Sequence, residues 1–394
     1  MTDPRTSVVW TPDFLSYELS DDHPLNPVRL DLTMRLAQGL GVLEGVELLA
    51  PEEAPEDDLL RVHAPSYLTA VRSAPYEPFG VGHGLGTADN PVFFGMHEAS
   101  SLIAGGSLLA ARTLLEDRAD RAVNIAGGLH HAMPDRAAGF CVYNDCSIAI
   151  AWLLEQGVER IAYIDVDVHH GDGVQASFYR DPRVLTVSMH QHPLTLWPGT
   201  GWPTESGEGD GAGYAVNVPL PPGTHDAGWL RAFHAVVPSL LAEFRPQVIV
   251  TECGADTHAE DPLANLELSV DGQRAIYHAL RGLVTEHAAK WLVLGGGGYS
   301  LFRVVPRSWT HLLATVLDRD LDPARPVPAD WIAHTAGLTP APLPTTMTDD
   351  RDPAWTPWGD VPDDTTADRV DGAITEVRRA LFPLHGLDPD DPRD

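Results

Sequence analysis

The sequence is poor in basic residues and in cysteine, and it has no long apolar run. It carries 26 Lys and Arg against 56 Asp and Glu in 394 residues, a formal net charge of −30. Contact with phosphate needs clustered Lys and Arg, so this charge argues against a nucleic-acid partner. Three cysteines are too few and too scattered for a disulfide framework or a Cys-rich zinc site. With no membrane-spanning run and no signal-peptide core at the N-terminus, we expect a cytoplasmic protein.

The residues that are abundant predict an α/β fold. Hydrophobic residues make up 43% of the chain, which is ample for a large core. Short apolar runs alternate with longer segments of helical periodicity, a pattern typical of a mostly parallel sheet with helices on both faces. The predicted strands lie near 7–10, 122–126, 161–165, 184–189, 215–218, 248–252 and 291–294. The predicted helices lie near 30–39, 64–73, 96–117, 145–156, 226–244, 270–289 and 365–381, with Asp145 a candidate N-cap.

Composition also predicts the irregular parts of the chain. Residues 51–58 are rich in Pro and acids, and residues 190–213 are rich in Pro, Gly and Trp, so both are expected to be loops. We expect one domain over 1–320 and an acidic, Pro-rich extension over 321–394. Within that extension, 320–364 is expected to be extended coil, one helix follows, and 388–394 is expected to be disordered.

One stretch, Ile161 to Gly173, concentrates ionisable groups at the end of an apolar strand. Side chains alternate along a strand, so Asp165, Asp167 and His169 point to one face. Carboxylate and imidazole ligands suit a divalent metal, with zinc the leading candidate. A polar turn is the simpler alternative, but burying so many ionisable groups without a metal or proton-transfer partners would be costly.

Polar clusters follow four of the predicted strands. They are His130-His131, the stretch from Asp165 to Asp172, Asp256, and Gly295–Tyr299. Each cluster alone has a structural explanation, such as a helix cap or a turn. Because the carboxyl ends of parallel strands meet at one edge of a sheet, we expect the four clusters to converge on one site.

These motifs resemble those of zinc-dependent deacetylases of the histone deacetylase superfamily, and most of all the bacterial acetoin-utilisation deacetylases. The resemblance covers roughly residues 7–320. It is carried by His23–Arg29, Gly127–Ala132, Gly139–Asp145, Asp165–Gly173, Glu252–Asp256 and Gly295–Tyr299. It implies a single open arginase/deacetylase-type α/β domain whose mostly parallel sheet has about eight strands.

The resemblance also implies roles for individual residues. Asp167, His169 and Asp256 would hold Zn²⁺ and leave one position open, as hydrolytic zinc requires. The remaining catalytic residues would be His131 as general base and acid, Asp172 orienting it, His130 paired with Asp165, and Tyr299 donating to the oxyanion.

Substrate and potassium sites are implied in the same way. Phe140, Gly139 and Trp197, the last standing where Phe is usual, would wall a tunnel for the acetyl-lysine stem. Leu263 would sit at the rim, Asp89 would hold the substrate backbone, and Arg29 would line an inner cavity for acetate. K⁺ would bind through Asp165, Asp167, His169, Ser188 and Met189.

Several functions stay open on the sequence. The leading one is deacetylation of Nε-acetyl-lysine in proteins, metabolic enzymes such as acetyl-CoA synthetase being the family's example. An acetylpolyamine or other small-molecule deacetylase is the first alternative, since an acidic rim would attract cations. An arginase-like ureohydrolase with two manganese ions would need a second carboxylate-rich motif. An inactive acyl-lysine binding module is the alternative from another class.

Overall fold

The computed structural model describes residues 4–319, 321–361 and 367–394. At its centre lies one eight-stranded sheet with the order β2-β1-β3-β8-β7-β4-β5-β6, in which all neighbouring strands are parallel. The strands are β1 Thr6–Val9, β2 Leu48–Leu49, β3 Arg121–Asn124, β4 Ile161–Asp165, β5 Val184–Gln191, β6 Ala215–Leu220, β7 Val248–Glu252 and β8 Lys290–Leu294. The predicted fold class and strand number are confirmed.

Helices pack against the sheet in two layers. One layer contains α1, α7, α8 and α9, with α10 and α11 at its margins, and the other contains α2 to α6. The helices are α1 Val28–Gly39, α2 Glu56–Leu59, α3 Pro65–Ser73, α4 Met96–Leu115, α5 Asp145–Glu155, α6 Asp172–Phe178, α7 Asp226–Phe244, α8 Val270–Glu286, α9 Val305–Val316, α10 Ala329–Thr335 and α11 Ala367–Leu381. Short 3₁₀ segments lie at Pro12–Ser16, Ala74–Tyr76, Gly209–Gly211 and Phe382–His385. Among the described residues, no helix is both long and apolar enough to span a bilayer.

The sheet brings the four polar clusters together. Every residue of β3, β4 and β7 is buried, because helices cover both faces. β4 and β7 are accordingly mostly apolar, whereas β3 has an apolar centre between Arg121 and Asn124. The strands that precede the clusters, β3, β8, β7 and β4, are adjacent in the sheet. Glu252 on β7 pairs in register with Asp165 on β4 and with Leu294 on β8. The loops that follow these strands therefore leave the same edge side by side.

Four helices, α2, α6, α9 and α10, were not predicted. α6 begins at Asp172, inside the stretch that was interpreted only as a group of ionisable residues. α2 forms at the end of the predicted loop 51–58 and extends one residue past it; the three acidic residues of its first turn are favourable at a helix N-terminus. α9 was missed, although Trp309 and the residues around it are fully buried. α10 lies inside the predicted coil 320–364 and is held by Trp331, whose indole donates to the Leu32 carbonyl at 2.9 Å. Residues 320 and 362–364 of that predicted coil lie outside the described residues.

The predicted disorder of the last residues is wrong. Arg378 on α11 is fully buried and donates hydrogen bonds to the carbonyls of Asp388, Pro389, Asp391 and Asp394. α11 itself packs on α7 and on the edge strand β6. A buried guanidinium needs acceptors, so it orders the chain that supplies them. The division of the chain near residue 320 stays a prediction.

Candidate active site

Two carboxylates and an imidazole meet at the carboxyl ends of β4 and β7. Asp167, His169 and Asp256 are buried, and one ligand atom from each lies within 4.8 Å of the others. His169 Nδ1 is 3.1 Å from Asp167 Oδ1 and 3.2 Å from Asp256 Oδ2. Two carboxylate oxygens and one imidazole nitrogen are ligands that zinc accepts in catalytic sites with an open position. These three residues could therefore hold a zinc ion.

The electrostatics of this cluster also fit a cation. Burial, with the charge of Asp167 beside it, raises the pKa of Asp256 to about 6. Burial lowers the pKa of His169, but its hydrogen bonds to Asp167 and Asp256 outweigh burial and raise it to about 10. Without a metal, a proton on His169 would serve as the counter-charge for the two carboxylates. A bound divalent cation would take over that role and leave the imidazole neutral.

Glycines allow the backbone to approach these carboxylates closely. A Cβ atom added at Gly254 would lie 2.1 Å from Asp167 Oδ2, and one at Gly297 would lie 2.2 Å from Asp256 Oδ2. The Gly297 amide donates to Asp167 Oδ2 at 2.9 Å. Any side chain at either position would collide with a proposed metal ligand, which explains why the loop after β8 is glycine-rich where it passes the cluster.

A pair of histidines lies beside the cluster. His130 Nδ1 is 2.7 Å from Asp165 Oδ2, and His131 Nδ1 is 2.8 Å from Asp172 Oδ1. Their Nε2 atoms lie 3.0 Å apart. The Tyr163 hydroxyl donates a further hydrogen bond, 2.7 Å long, to Asp165 Oδ2. A carboxylate behind each ring fixes its orientation and its tautomer.

The pKa values of the two histidines are shifted in opposite directions. Burial lowers the pKa of His130, but the carboxylates of Asp165 and Asp167 outweigh it and raise the pKa to about 9. Burial lowers the pKa of His131 well below its usual value, and the charges of His130 and His169 lower it further. Burial raises the pKa of Asp172 to about 6. His131 is therefore the neutral ring of the pair, and only a neutral imidazole can accept a proton.

Two residues that hold the histidine loop were missed as functional residues. Asp145 was predicted to cap α5, but Asn144 is the N-cap, and its side chain accepts a hydrogen bond from the Ser147 amide at 2.8 Å. Asp145 instead points into the core and accepts from the amides of Gly128 and Leu129 at 3.1 and 2.8 Å. Asn144 Nδ2 also donates to the carbonyls of His130 and Ala132, both at 3.0 Å. Both residues belong to a motif noted in the sequence, Gly139–Asp145, but only contacts across the fold reveal their role.

A narrow cavity leads from the surface to these groups. Its volume is about 280 Å³, and its lining consists of Asp89, His131, Gly139, Phe140, His169, Leu196, Trp197, Leu263 and Tyr299. The Trp197 ring packs edge-on against the His131 ring at 4.6 Å between centroids, and Phe140 packs edge-on against Tyr299 at 5.7 Å. The walls are mostly apolar, and the inner end carries the histidines.

All predicted tunnel residues except Arg29 line this cavity. Asp89 is exposed, whereas Leu263 is half-buried. Arg29 is buried behind the glycine loop, where it donates to the Gly298 carbonyl at 3.1 Å and stacks on Trp309. A smaller inner cavity lies beyond Tyr299, but Arg29 is not part of its lining. Ser188 and Met189, proposed for potassium, lie buried on β5, with Ser188 in register with Asp165.

Asp261 is a further residue that the sequence did not suggest. Its two carboxylate oxygens accept hydrogen bonds from the backbone amides of Tyr299 at 2.8 Å and Leu263 at 3.0 Å. It therefore joins the loop after β7 to the loop after β8, next to the cavity. An Asp before Pro indicates only a local turn, which the contact with Leu263 fits; the contact with the Tyr299 amide, 38 residues away, leaves no signal in the sequence.

Glu252 lies next to the metal-ligand cluster. It is fully buried; its Oε2 accepts from the Gly254 amide, while Oε1 has no hydrogen-bond partner among the residues that the structure describes. Glu252, His130 and Asp167 form a second group of closely spaced ligand atoms. Both nitrogens of His130 are already hydrogen-bonded, to Asp165 and to His131, so the ring offers no free ligand atom. This geometry does not favour a two-metal, arginase-like centre.

Comparison with known proteins agrees with the geometry. The histone deacetylase domain family matches residues 23–316. The acetoin utilization protein AcuC of Bacillus subtilis (strain 168) is 39% identical over 355 residues, covering 88% of this chain and 91% of that protein. AcuC of Staphylococcus aureus (strain MRSA252) is 36% identical over 333 residues, covering 83% and 85%, and AcuC of Staphylococcus xylosus is 35% identical over 352 residues, covering 88% and 91%. These matches support a deacetylase, an amide hydrolase that acts on acetylated substrates. The chain belongs to the histone deacetylase family.

Proposed function

We propose that this protein is a zinc-dependent deacetylase that removes acetyl groups from Nε-acetyl-lysine in proteins. The observation that carries the proposal is the buried group Asp167, His169 and Asp256 at the inner end of a narrow, mostly apolar cavity. Acetyl-lysine offers a long aliphatic stem with an amide at its end, so it suits a cavity with apolar walls and a polar inner end. Metabolic enzymes are the proposed protein substrates.

Zinc bound by these residues would act as a Lewis acid on the amide carbonyl and would lower the pKa of water. His131, neutral and held by Asp172, accepts the proton of the attacking water. The same ring then returns that proton to the departing lysine amine, which cannot leave as an anion. His130, paired with Asp165, supplies a positive charge beside the developing negative one.

Tyr299 and the cavity walls complete the proposed chemistry. Tyr299 lies half-buried with its side chain near Asp256 and Asp167, and burial raises the pKa of its phenol well above the usual value. A phenol that keeps its proton can donate a hydrogen bond to the oxyanion of the tetrahedral intermediate. Phe140 and Trp197 exclude water around the substrate stem, which strengthens these interactions.

We also propose that the protein binds a potassium ion near the zinc site. Its oxygen ligands would come from five residues next to the proposed zinc site: Asp165, Asp167, His169, Ser188 and Met189. Its binding would add positive charge to a region where buried carboxylates outnumber buried arginines. Activity that depends on K⁺ at constant ionic strength would support this site.

The direct test is turnover of an acetylated peptide by purified protein with defined metal content. We expect no activity after removal of metal with a chelator, and recovery on addition of one equivalent of Zn²⁺. Circular dichroism before and after chelation controls for unfolding. Activity that survives complete removal of metal would refute zinc dependence.

An acetylpolyamine is the alternative substrate, and Asp89 is the observation that favours it. Asp89 is the exposed carboxylate in the cavity lining, and it could attract the ammonium groups of a polyamine. Comparing kcat/KM for an acetyl-lysine peptide and for acetylputrescine separates the two substrates. A preference for the polyamine above about tenfold, or 1.4 kcal/mol, would replace the protein-substrate proposal.

A further inference from the structure

The chain beyond the family domain contacts the two loops that carry the active-site residues. The family match ends at residue 316, whereas residues 342–352 lie against the loop after β7 and the start of α9. The loop after β7 contains Asp256 and the rim residue Leu263, and Tyr299 lies six residues before α9. Contacts at this junction can therefore influence the geometry of the site.

Asp349 is the centre of the junction. Its Oδ2 accepts hydrogen bonds from His258 Nε2 and from the Val270 amide, both at 2.8 Å. Its Oδ1 accepts from Arg307 at 2.8 Å. His258 is buried two residues beyond Asp256, Val270 begins α8, and Arg307 lies in α9. One carboxylate from the extension thus joins three elements of the catalytic domain.

Two arginines strengthen the same connection, Arg303 just before α9 and Arg307 in its first turn. Arg303 forms a paired contact with the Glu260 carboxylate at 2.7 and 3.0 Å and also donates to the Pro342 carbonyl. Arg307 is buried and donates to the Thr348 carbonyl at 3.0 Å as well as to Asp349. A buried guanidinium that loses its carboxylate is costly, so Arg307 would have to move if Asp349 were removed.

The backbone of the extension is itself fixed next to Asp349. The Asp271 carboxylate, near the start of α8, accepts hydrogen bonds from the Thr348 hydroxyl at 2.8 Å, the Asp349 amide at 3.0 Å and the Arg351 amide at 3.1 Å. This fixes the backbone of Asp349 independently of its side chain. Asp349 is therefore a rigid support for the loop that contains His258.

We propose that Asp349 is a positioning residue for deacetylation, and that it acts by holding the loop from Asp256 to Leu263 through His258. The inference rests on the proposed function, because the roles of Asp256 and Tyr299 belong to it. Asp261 extends the connection, since it joins this loop to the Tyr299 amide. The extension would thus serve as a structural part of the active site.

The test compares Asp349→Ala and the milder Asp349→Asn with Asp371→Asn in the full-length protein. Asp371 also holds the extension, through Arg231 on α7, but its contacts lie away from the cavity. For the Asp349 variants we expect Zn²⁺ affinity, measured by chelator competition, and kcat/KM to fall about 10-fold, the lower end of the range for groups that hydrogen-bond a metal ligand directly, because Asp349 acts through His258. For Asp371→Asn we expect both to stay within about twofold, although thermal stability decreases.

A double-mutant cycle with His258→Ala supplies the second measurement. If Asp349 acts through His258, the double variant should lose no more Zn²⁺ affinity than the worse single variant. Additive losses, or Asp349 variants whose zinc affinity matches wild type, would overturn the inference. If the Asp349→Ala protein does not fold, the Zn²⁺ affinity of the Asp349→Asn protein tests the inference in its place. Because zinc affinity is measured without substrate, failure of wild type to turn over any acetylated compound would refute the proposed function alone.

Discussion

The active-site edge and the C-terminal extension both bury charge, but they satisfy it in different ways. At the active-site edge, Asp165, Asp167, Glu252 and Asp256 are buried around three histidines. Where the described part of the extension packs on the domain, the buried charges include three arginines, Arg231 on α7, Arg307 on α9 and Arg378 on α11. The first region has more anions than fixed cations, whereas the second surrounds each cation with acceptors.

Arg231 illustrates the second case. Its guanidinium is buried and pairs with both oxygens of Asp371, at 2.6 and 2.9 Å. It also donates to the carbonyls of Thr356, Pro357 and Asp360. The chain itself thus supplies acceptors for the buried charge, and the extension is fastened to α7 without any ligand.

Buried charge that is paired within the chain contributes to stability, whereas buried carboxylates that lack a fixed counter-charge are available to bind an ion. Buried ions are tolerated only when paired and hydrogen-bonded. The Arg231 pair meets this condition within the fold. Asp167 and Asp256 meet it fully only with a cation, which agrees with the zinc site proposed above. Changes in the two regions should therefore have separable effects on activity and on stability.

The largest expected effect is on activity, from a change at the metal cluster. Asp256→Asn should lower kcat/KM by about 10³-fold or more, since a catalytic metal contributes several kcal/mol to transition-state stabilisation. Zinc content measured by mass spectrometry should fall with it. Asp57→Asn, at an exposed carboxylate, is the control and should retain zinc and activity. A fully active Asp256→Asn protein would remove Asp256 from the ligand set.

The second effect separates chemistry from metal binding. His131→Ala should lower kcat by about 10²- to 10⁴-fold, the usual contribution of a general acid-base group. Tyr299→Phe should lower it by about 10²- to 10³-fold, as loss of an oxyanion donor does. Both variants should bind Zn²⁺ and acetylated peptide as wild type does. An active His131→Ala protein would contradict its role, and tight peptide binding by an inactive wild type would favour the binding-module alternative.

The third effect is on stability, from a change on α7 at the ion pair that fastens the extension to the domain. Arg231→Met should lower the free energy of unfolding by about 3 kcal/mol, because it breaks a largely buried ion pair. Activity per folded molecule should stay close to that of wild type. Arg379→Met, at an exposed arginine of α11, is the control and should change stability by less than about 0.5 kcal/mol. Equal losses in the two variants would show that the buried pair contributes nothing special.

The smallest effect is the pH dependence of the extension's attachment. His311 on α9 is buried and lies 2.8 Å from the Met347 carbonyl, and burial lowers its pKa to about 4. Below about pH 6.5 His311 becomes protonated in the unfolded chain but stays neutral in the folded protein. The free energy of unfolding therefore falls as the pH is lowered towards 4. Between pH 7 and 5 this amounts to about 2 kcal/mol.

His311→Gln measures this contribution. Glutamine keeps a hydrogen-bond donor but does not titrate, so the variant should lose less stability between pH 7 and 5 than wild type. Chemical denaturation of metal-free protein at both values of pH compares them without the pH dependence of zinc binding. If both proteins lose the same unfolding free energy between pH 7 and 5, His311 does not contribute to the pH dependence of stability.

Some features of the site could be predicted from sequence because they depend on local order. Alternation along β4 places Asp165, Asp167 and His169 on one face, and the glycine run after β8 predicts a close approach of the backbone. Parallel strands imply that successive polar turns share an edge. The residues that support the site could not be predicted in this way. Asp261 and Asp349 act through distant amides and side chains, and no local pattern marks them.

The α/β alternation, the buried strands and the groups of ionisable residues that follow them can be recognised from local order in the chain, because periodicity and composition are properties of neighbouring residues. The order of β3, β8, β7 and β4 in the sheet, the lowered pKa of His131 and the contact of the extension with the active-site loop follow only from the folded chain. Each of these depends on which distant groups share a buried volume, and burial and neighbouring charge are set by the fold as a whole.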